Sequence, residues 1–310
     1  MVNDGTTPPP PGATPPGATP PGPTQTPPGP YGGPQSGFSG RGTRYYVPDF
    51  EGCLSIKSVP AGTAVWETDH RRFSLSEDSW LILNDRQRYS ITIDSFTPVT
   101  TFCLFFERGF VEDLYRVCVT SDVRLLDSPD PDPAGHVSFF TRIEPGGPLI
   151  DLLERFRADL AGGTMSQQEW DTRFQQIAAL LIAERTNAPR QMARIPAANH
   201  ATRLELYRRV LRGRDFLLSS LSEPIQLREM AAAACLSPWH FHRSFTRAFC
   251  ETPHRCLTRH RLQKAARLLR RPAVTVTEAC LGAGFESPAS FSSLFRRHYG
   301  VSPRQFSKIQ

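Results

Sequence analysis

The sequence predicts a multi-domain α+β fold, with an N-terminal β-barrel with helices and a C-terminal all-α domain with two helix-turn-helix units. Three observations predict it. Short apolar runs of period two follow one another from about Tyr45 to Arg116, as in antiparallel barrels and sandwiches. Helical periodicity begins near Leu149. A Ser-Pro pair that opens an aromatic and basic run then occurs twice, at Ser237-Pro238 and Ser287-Pro288, with an offset of 50 residues.

The N-terminal segment, residues 1–42, differs in composition from the rest of the chain. It contains 13 of the 29 prolines, in an imperfect Pro-Pro-Gly-Ala-Thr repeat that lacks the every-third glycine of collagen. Such a tract buries too little apolar surface to offset its conformational entropy. We expect a disordered tail, partly in polyproline II conformation, that is either an inert tether or a ligand for an aromatic groove.

The next segment, residues 43–145, is predicted to form the β domain. Within it, residues 109–126 are ambiguous between helix and strand. Three prolines predict a loop at 127–134, and further β structure is expected at 137–143. The predicted strands are Cys53–Ile56, Thr63–Trp66, Trp80–Leu83, Tyr89–Ile93 and Thr101–Phe106.

Two amphipathic helices are predicted in residues 146–186. The first ends at Gly162-Gly163, and the second begins at a capping box formed by Ser166 and Glu169. Their apolar stripes could pack on the β domain, connect the two domains or mediate dimerisation, and the sequence leaves these alternatives open.

The last segment, residues 203–310, is predicted to form the helical domain. It follows an exposed linker at 187–202, where Pro189 and Pro196 disfavour helix. Each Ser-Pro pair supplies an N-cap and a proline at the first helical position, and the Phe spacing after it gives one apolar stripe. Supporting helices from about Leu227 and Val276, a turn at Gly284-Phe285 and a long helix over 252–270 complete two helix-turn-helix units.

Charge divides the chain in the same place. Residues 201–310 contain 19 Lys and Arg against 7 Asp and Glu, whereas residues 1–200 contain 17 against 23. A basic third on an acidic remainder is typical of a nucleic-acid-binding module attached to another domain. A solvated basic face is the alternative that charge alone leaves open.

Several classes of protein are disfavoured. Seven cysteines lack CxxC spacing, which predicts free thiols in a reducing cytosol, and no 18-residue apolar stretch or export signal is present. We therefore expect a soluble cytoplasmic protein without a membrane span, metal or other cofactor. His240 and His242 lie two apart and lack zinc-finger partners. No Ser-His-Asp or paired-carboxylate constellation predicts an enzyme.

A set of residues in the last third of the chain forms a recognisable pattern: Arg261-Leu262, Ala265, Leu268-Leu269, Ala279, Gly284-Phe285, Ser287, Phe291, Phe295, Arg296, Gly300, Ser302-Pro303 and Phe306. On these residues the segment from about 205 to 308, a third of the chain, resembles the AraC/XylS family of bacterial transcription activators. The β segment is similar in pattern to the cupin-like sensor domain that many members place before this module.

The resemblance implies double-stranded DNA as a partner, with the two second helices in successive major grooves. In the first unit it places Trp239, His242 and Arg243 at bases and His240 and Arg247 near the backbone. The second unit departs from the family, because Ser293 stands where many members have arginine. We expect the first unit to read sequence and the second to hold phosphates. The second unit's residues are Pro288, Ala289, Ser290 and Ser293 at the bases, with Arg296 and Arg297 at phosphates.

The resemblance also implies RNA polymerase as a partner, a possible homodimer and control through the N-terminal domain. A small effector would enter the barrel mouth among Trp66, Trp80, Tyr89 and Phe105, which could equally be plain core. Two alternatives stay open. One is a cupin-like enzyme fused to a DNA-binding module, and the other is a degenerate sensor controlled by a protein partner.

Overall fold

The computed structural model describes residues 35–68, 71–77, 79–119, 137–163, 165–271 and 273–308. The expected disordered tail up to residue 34 and the loop at 127–134 lie outside these residues. The strands are β1 Ser36–Glu51, β2 Ser55–Ala61, β3 Thr63–Thr68, β4 Arg71–Ser76, β5 Ser79–Leu83, β6 Arg88–Phe105 and β7 Ile143–Pro145. Helices of the N-terminal part are α1 Phe110–Val119, α2 Gly147–Gly162 and α3 Gln167–Ala193.

The C-terminal part is all helical. Its helices are α4 His200–Ser219, α5 Leu227–Ala233, α6 Pro238–Phe249, α7 Pro253–Leu269, α8 Val276–Gly282, α9 Pro288–Tyr299 and α10 Pro303–Phe306. Among the described residues, no helix combines the length and the apolarity needed to cross a membrane. A β-rich N-terminal part followed by this helical array confirms the predicted fold class.

The strands form one curled antiparallel sheet in the order β4-β3-β6-β2-β5-β7, with β1 also paired to β6. Successive side chains point to opposite faces, so each central strand contributes to two cores. The inner face carries Leu81, Leu83 and Cys103, and the outer face carries Trp80, Ile82 and Phe102. α1, α2 and α3 cover the outer face, while the inner core continues into the helices of the C-terminal part.

The β segment differs from the sequence prediction in three places. Residues 36–42, assigned to the tail, lie in β1, whose half-exposed edge position requires no apolar alternation. The two strands predicted at 89–93 and 101–106 are one strand, β6, because residues 95–98 form an irregularity in its pairing with β1. β4 was not predicted, and the strand expected at 137–143 begins only at Ile143.

The two predicted amphipathic helices are present, and their apolar stripes are buried against the chain's own sheet. Ser166 and Glu169 form the predicted capping box of α3. Residues 187–193, predicted to be linker, continue this helix through Pro189. Proline removes one backbone hydrogen bond there, but Ala188 and Ile195 are buried at 4% and 0% exposure, so packing holds the extension.

α7 is shared by the two helix-turn-helix units. Cys256 and Leu257, near its start, pack in the core of the first unit, whereas Leu262, Ala265 and Leu269 pack in the core of the second. Because one continuous helix contributes to both cores, the units are fixed relative to each other.

At Gly213, α4 packs tightly against the first unit. A Cβ on Gly213 would lie 2.8 Å from the Met230 carbonyl oxygen and would also clash with the Phe241 ring. Gly213→Ala should therefore lower the free energy of unfolding by roughly 1–3 kcal/mol, measured by urea denaturation.

Gly282 in α8 is the matched control. A Cβ there would meet only the flexible end of Leu268, at 3.2 Å. Gly282→Ala should change stability by less than about 1 kcal/mol. Equal losses in the two variants would contradict the close helix approach at Gly213.

Candidate DNA-binding interface

Each helix-turn-helix unit consists of a supporting helix, a turn in the left-handed region and an exposed second helix. Gly284 has φ of 89°, which confirms the left-handed turn predicted in the second unit. Cys235 adopts φ of 52° in the first unit, although a side chain there costs about 1–2 kcal/mol. The residue after each turn donates its N–H to the supporting helix, Phe285 to Cys280 O at 3.0 Å and Leu236 to Ala231 O at 2.9 Å.

The two second helices, α6 and α9, are built alike. Both contain 12 residues, both begin with proline after a serine N-cap, and both end at a left-handed residue, Cys250 or Gly300. The Ser237 hydroxyl accepts from the His240 N–H at 3.3 Å, and the Ser287 hydroxyl accepts from the Ser290 N–H at 3.4 Å. On each helix the predicted Phe stripe is buried, which leaves the opposite side in solvent. The stripe residues are Phe241, Phe245, Phe291 and Phe295.

The exposed side of α6 is aromatic and basic. Trp239 is 68% exposed, and the Arg243 guanidinium lies 5.2 Å from the centre of its ring. A groove of about 220 Å³ beside α4 brings together Trp239, His240, Arg243 and Arg247. His242 is also exposed. All five candidates of the first unit are therefore accessible to a partner, and four of them share one groove.

The exposed side of α9 is small and weakly polar at its start and basic at its end. Pro288, Ala289, Ser290 and Ser293 are exposed, and Arg296 and Arg297 are exposed in the last turn. Hydroxyl and methyl groups offer a short reach, whereas the two guanidiniums are long and fully charged. The exposed sides of α6 and α9 therefore differ in size and charge.

The four candidate effector residues are all buried, but they do not form one group. Trp66, Tyr89 and Phe105 lie in the inner core, at 1%, 7% and 7% exposure. Trp80 points to the outer face and packs with the helices there. The alternation of side chains along a strand separates Trp80 from the other three.

A buried ion-pair network, missed by the sequence analysis, joins the sheet to α4. The Glu144 carboxylate, on β7, pairs with Arg142 and with Arg214 of α4, the latter at 2.8 Å. The next residue of α4, Asp215, pairs with Arg71 of β4 at 2.5 Å and accepts from the Ile143 N–H at 3.0 Å. α4 is thereby held to two sheet edges while it supports the first helix-turn-helix unit.

The two carboxylates of the network respond differently to burial. Burial raises the pKa of Glu144, but the Arg142 and Arg214 guanidiniums outweigh it and hold that pKa below its usual range. For Asp215, burial outweighs Arg71 and Arg214 and raises the pKa to about 7. Glu144 is therefore the fixed anion of the network, with two arginines depending on its charge.

Glu144→Gln should remove the anion that two buried guanidiniums share and lower the free energy of unfolding by roughly 3–5 kcal/mol. Glu205→Gln is the control, because Glu205 pairs with Arg209 on the surface at 2.9 Å, and such pairs contribute about 0–1 kcal/mol. Urea denaturation of both variants makes the comparison. A loss at position 144 as small as that at 205 would show that the network does not hold the domains.

Comparison with known proteins gives a match in the C-terminal part. A family model described as a helix-turn-helix domain matches residues 230–309. The regulator MtrA of Neisseria gonorrhoeae is 39% identical over 80 residues, covering 26% of this chain and 27% of that protein. The activator RhaS of Klebsiella pneumoniae is 38% identical over 89 residues, covering 29% of this chain and 32% of that protein. The chain thus spans about a third or less of the length of these relatives.

Two solved structures are also similar to part of this chain. An AraC-type transcriptional regulator from Chromobacterium violaceum is 23% identical and covers 36% of this chain and 95% of that one, with a TM-score of 0.31. The DNA-binding domain of AdpA, solved with a target DNA, is 29% identical and covers 32% and 90%, with a TM-score of 0.31. The match shows that residues 230–309 are similar to a helix-turn-helix domain, the same region in which the structure places α5 to α10.

Proposed function

We propose that this protein is a sequence-specific DNA-binding transcription regulator of the AraC/XylS type. The observation that carries the proposal is the pair of identically capped, 12-residue helices, α6 and α9, each with an exposed face and both anchored to α7. A rigid pair of such helices suits two successive major grooves, one helical turn or about 34 Å apart. The excess of 12 positive charges in residues 201–310 supports attraction to the phosphate backbone.

In this proposal the first unit reads bases. Trp239, His242 and Arg243 contact base edges, and His240 and Arg247 lie toward the backbone. The stacking of Arg243 on Trp239 supports this role, because it limits the freedom of a long side chain before DNA arrives. A guanidinium positioned in this way makes a bidentate contact with guanine, worth roughly 1–3 kcal/mol of discrimination.

The second unit mainly holds the backbone. Ala289, Ser290 and Ser293 offer the bases only small groups, and Arg296 and Arg297 contact phosphates. These contacts are independent of sequence and depend on salt, since each phosphate that is neutralised releases counterions. The second unit therefore contributes affinity, and the first contributes preference.

The N-terminal part is proposed to modulate this binding, through an effector or a change in dimerisation. RNA polymerase and a second copy of the chain are the proposed protein partners. We propose that the protein is not an enzyme. The described residues contain no group of three or more His, Cys, Asp or Glu that could hold a metal ion.

Two variants test the proposal on full-length protein, with a DNA site selected from a random pool. Arg243→Ala should relax sequence preference, with a loss of about 1–3 kcal/mol for the preferred site only. Arg297→Ala should weaken all sequences alike and flatten the salt dependence of binding by about one unit of slope. Fluorescence-anisotropy titrations at several salt concentrations measure both effects.

Arg155→Ala is the control for charge, because Arg155 is exposed on α2 of the N-terminal part. It should leave preference and salt slope unchanged. If Ser290→Ala relaxed preference more than Arg243→Ala did, the division of labour between α6 and α9 would be wrong. If the full chain bound selected and scrambled DNA equally, sequence-specific regulation would be wrong.

A further inference from the structure

A cavity lies on the outer face of the sheet. It has a volume of about 460 Å³ and is lined by residues of β5, α1, α3 and the segment at 138–144. This volume falls within the roughly 300–1,000 Å³ of small-molecule sites. Four aromatic side chains line its walls: Trp80, Tyr115, Phe139 and Phe140.

Two of the charged groups in the cavity already have partners. Arg142 is 5% exposed, and its guanidinium pairs with Glu144, donates to the Tyr207 hydroxyl at 3.0 Å and lies 3.3 Å from Glu184. Glu144 is paired with Arg142 and with Arg214. These contacts leave neither group available as the main partner of a ligand.

A third charged group, Arg185, lies at the cavity wall in a stacked position. Its guanidinium lies 4.4 Å from the centre of the Tyr115 ring, and its Nε donates to the Ser138 carbonyl oxygen at 3.3 Å. The stack and the hydrogen bond both hold this side chain against the wall.

Glu184 is the charged group with the fewest contacts. Among the described residues its one polar partner is Arg142, at 3.3 Å, and its side chain is 45% exposed. Burial raises the pKa of Glu184, and the nearby Glu144 carboxylate raises it further. A carboxylate in this position is stabilised by an added cation and destabilised by an added anion.

Aromatic walls beside an under-compensated carboxylate favour one class of ligand. The faces of aromatic rings attract cations, and quaternary and protonated amines are recognised in this way. We propose that the cavity binds an organic cation, a protonated or quaternary amine with an apolar body, with Glu184 as its counter-ion and the aromatic side chains around it.

Ligand binding in the cavity is connected to the proposed DNA-binding helices through Arg142 and α4. An amine beside Glu184 competes with Arg142 for that carboxylate, and Arg142 shares Glu144 with Arg214 of α4. α4 packs on the first helix-turn-helix unit, so ligand binding shifts the position of α6. This regulatory consequence rests on the proposed function, whereas ligand binding itself does not.

Calorimetric titration of the full chain with three matched probes tests the site: phenethylamine, phenethyl alcohol and phenylacetate. Phenethylamine should bind most tightly of the three. Glu184→Gln should lower the affinity for phenethylamine at least about tenfold, or 1.4 kcal/mol. Asp171→Asn, which removes an exposed carboxylate from the same helix, should leave its affinity unchanged. Phenylacetate preference, equal binding of amine and alcohol, or full affinity in Glu184→Gln would overturn the proposal.

A second variant tests the same site even if Glu184→Gln misfolds. Thr186 is exposed and lines the cavity, so Thr186→Trp fills space without disturbing the core. Thr186→Trp should weaken binding of the amine by a similar factor and leave the melting temperature of the protein unchanged. An unchanged amine affinity in this variant would place the probe elsewhere and overturn the site.

The regulatory consequence has its own readout. DNA titrations with saturating phenethylamine should show a changed DNA affinity in the wild type and no change in Glu184→Gln. Amine binding without an effect on DNA would uphold the site and overturn its coupling to α4. Amine binding by a chain that recognises no DNA sequence would uphold the site and overturn the proposed function.

Discussion

The packing of the two parts of this protein depends on one buried set of ion pairs between β7 and α4. Removing charges from water costs several kcal/mol per ion, and the cost is recovered only when each charge meets its partner in good geometry. Arg142, Glu144 and Arg214 satisfy this in one arrangement, and Asp215 with Arg71 adds a second anchor on β4. Apolar contacts alone would tolerate sliding of α4 along the sheet. The ion pairs do not, so they determine where the first helix-turn-helix unit lies.

In the C-terminal part, α7 extends this constraint from the first helix-turn-helix unit to the second. The helix has 17 residues and is therefore about 25 Å long, and its two ends pack in different cores. α7 thus joins the first unit, which packs on α4, to the second unit. The units nevertheless differ in their turns: Cys235 lies two residues before Ser237, and Gly284 lies three before Ser287. The two units thus share one architecture but differ in their turns and in the side chains of their exposed faces.

Sequence alone predicted the helical part well, because its signals are local. A serine N-cap followed by proline fixes where a helix begins, whatever surrounds it, and the starts at Ser237 and Ser287 were confirmed. The β part was predicted less well. In β5 every residue is buried, so no alternation indicates which side Trp80 faces. The ion-pair network could not be predicted, because Glu144 and Arg214 are 70 residues apart and meet only through tertiary packing.

The inner and outer faces of the sheet are filled differently. The inner face is filled by large side chains. Among them is Lys57, 1% exposed, whose ammonium lies 4.0 Å from the centre of the Phe105 ring and donates to the Tyr89 hydroxyl at 3.1 Å. Two of the residues predicted to line an effector site thus serve as partners of a buried lysine. On the outer face, α1 and α3 leave a gap over Trp80. Because the wall of that gap includes Arg142, the cavity and the interface with α4 share a residue.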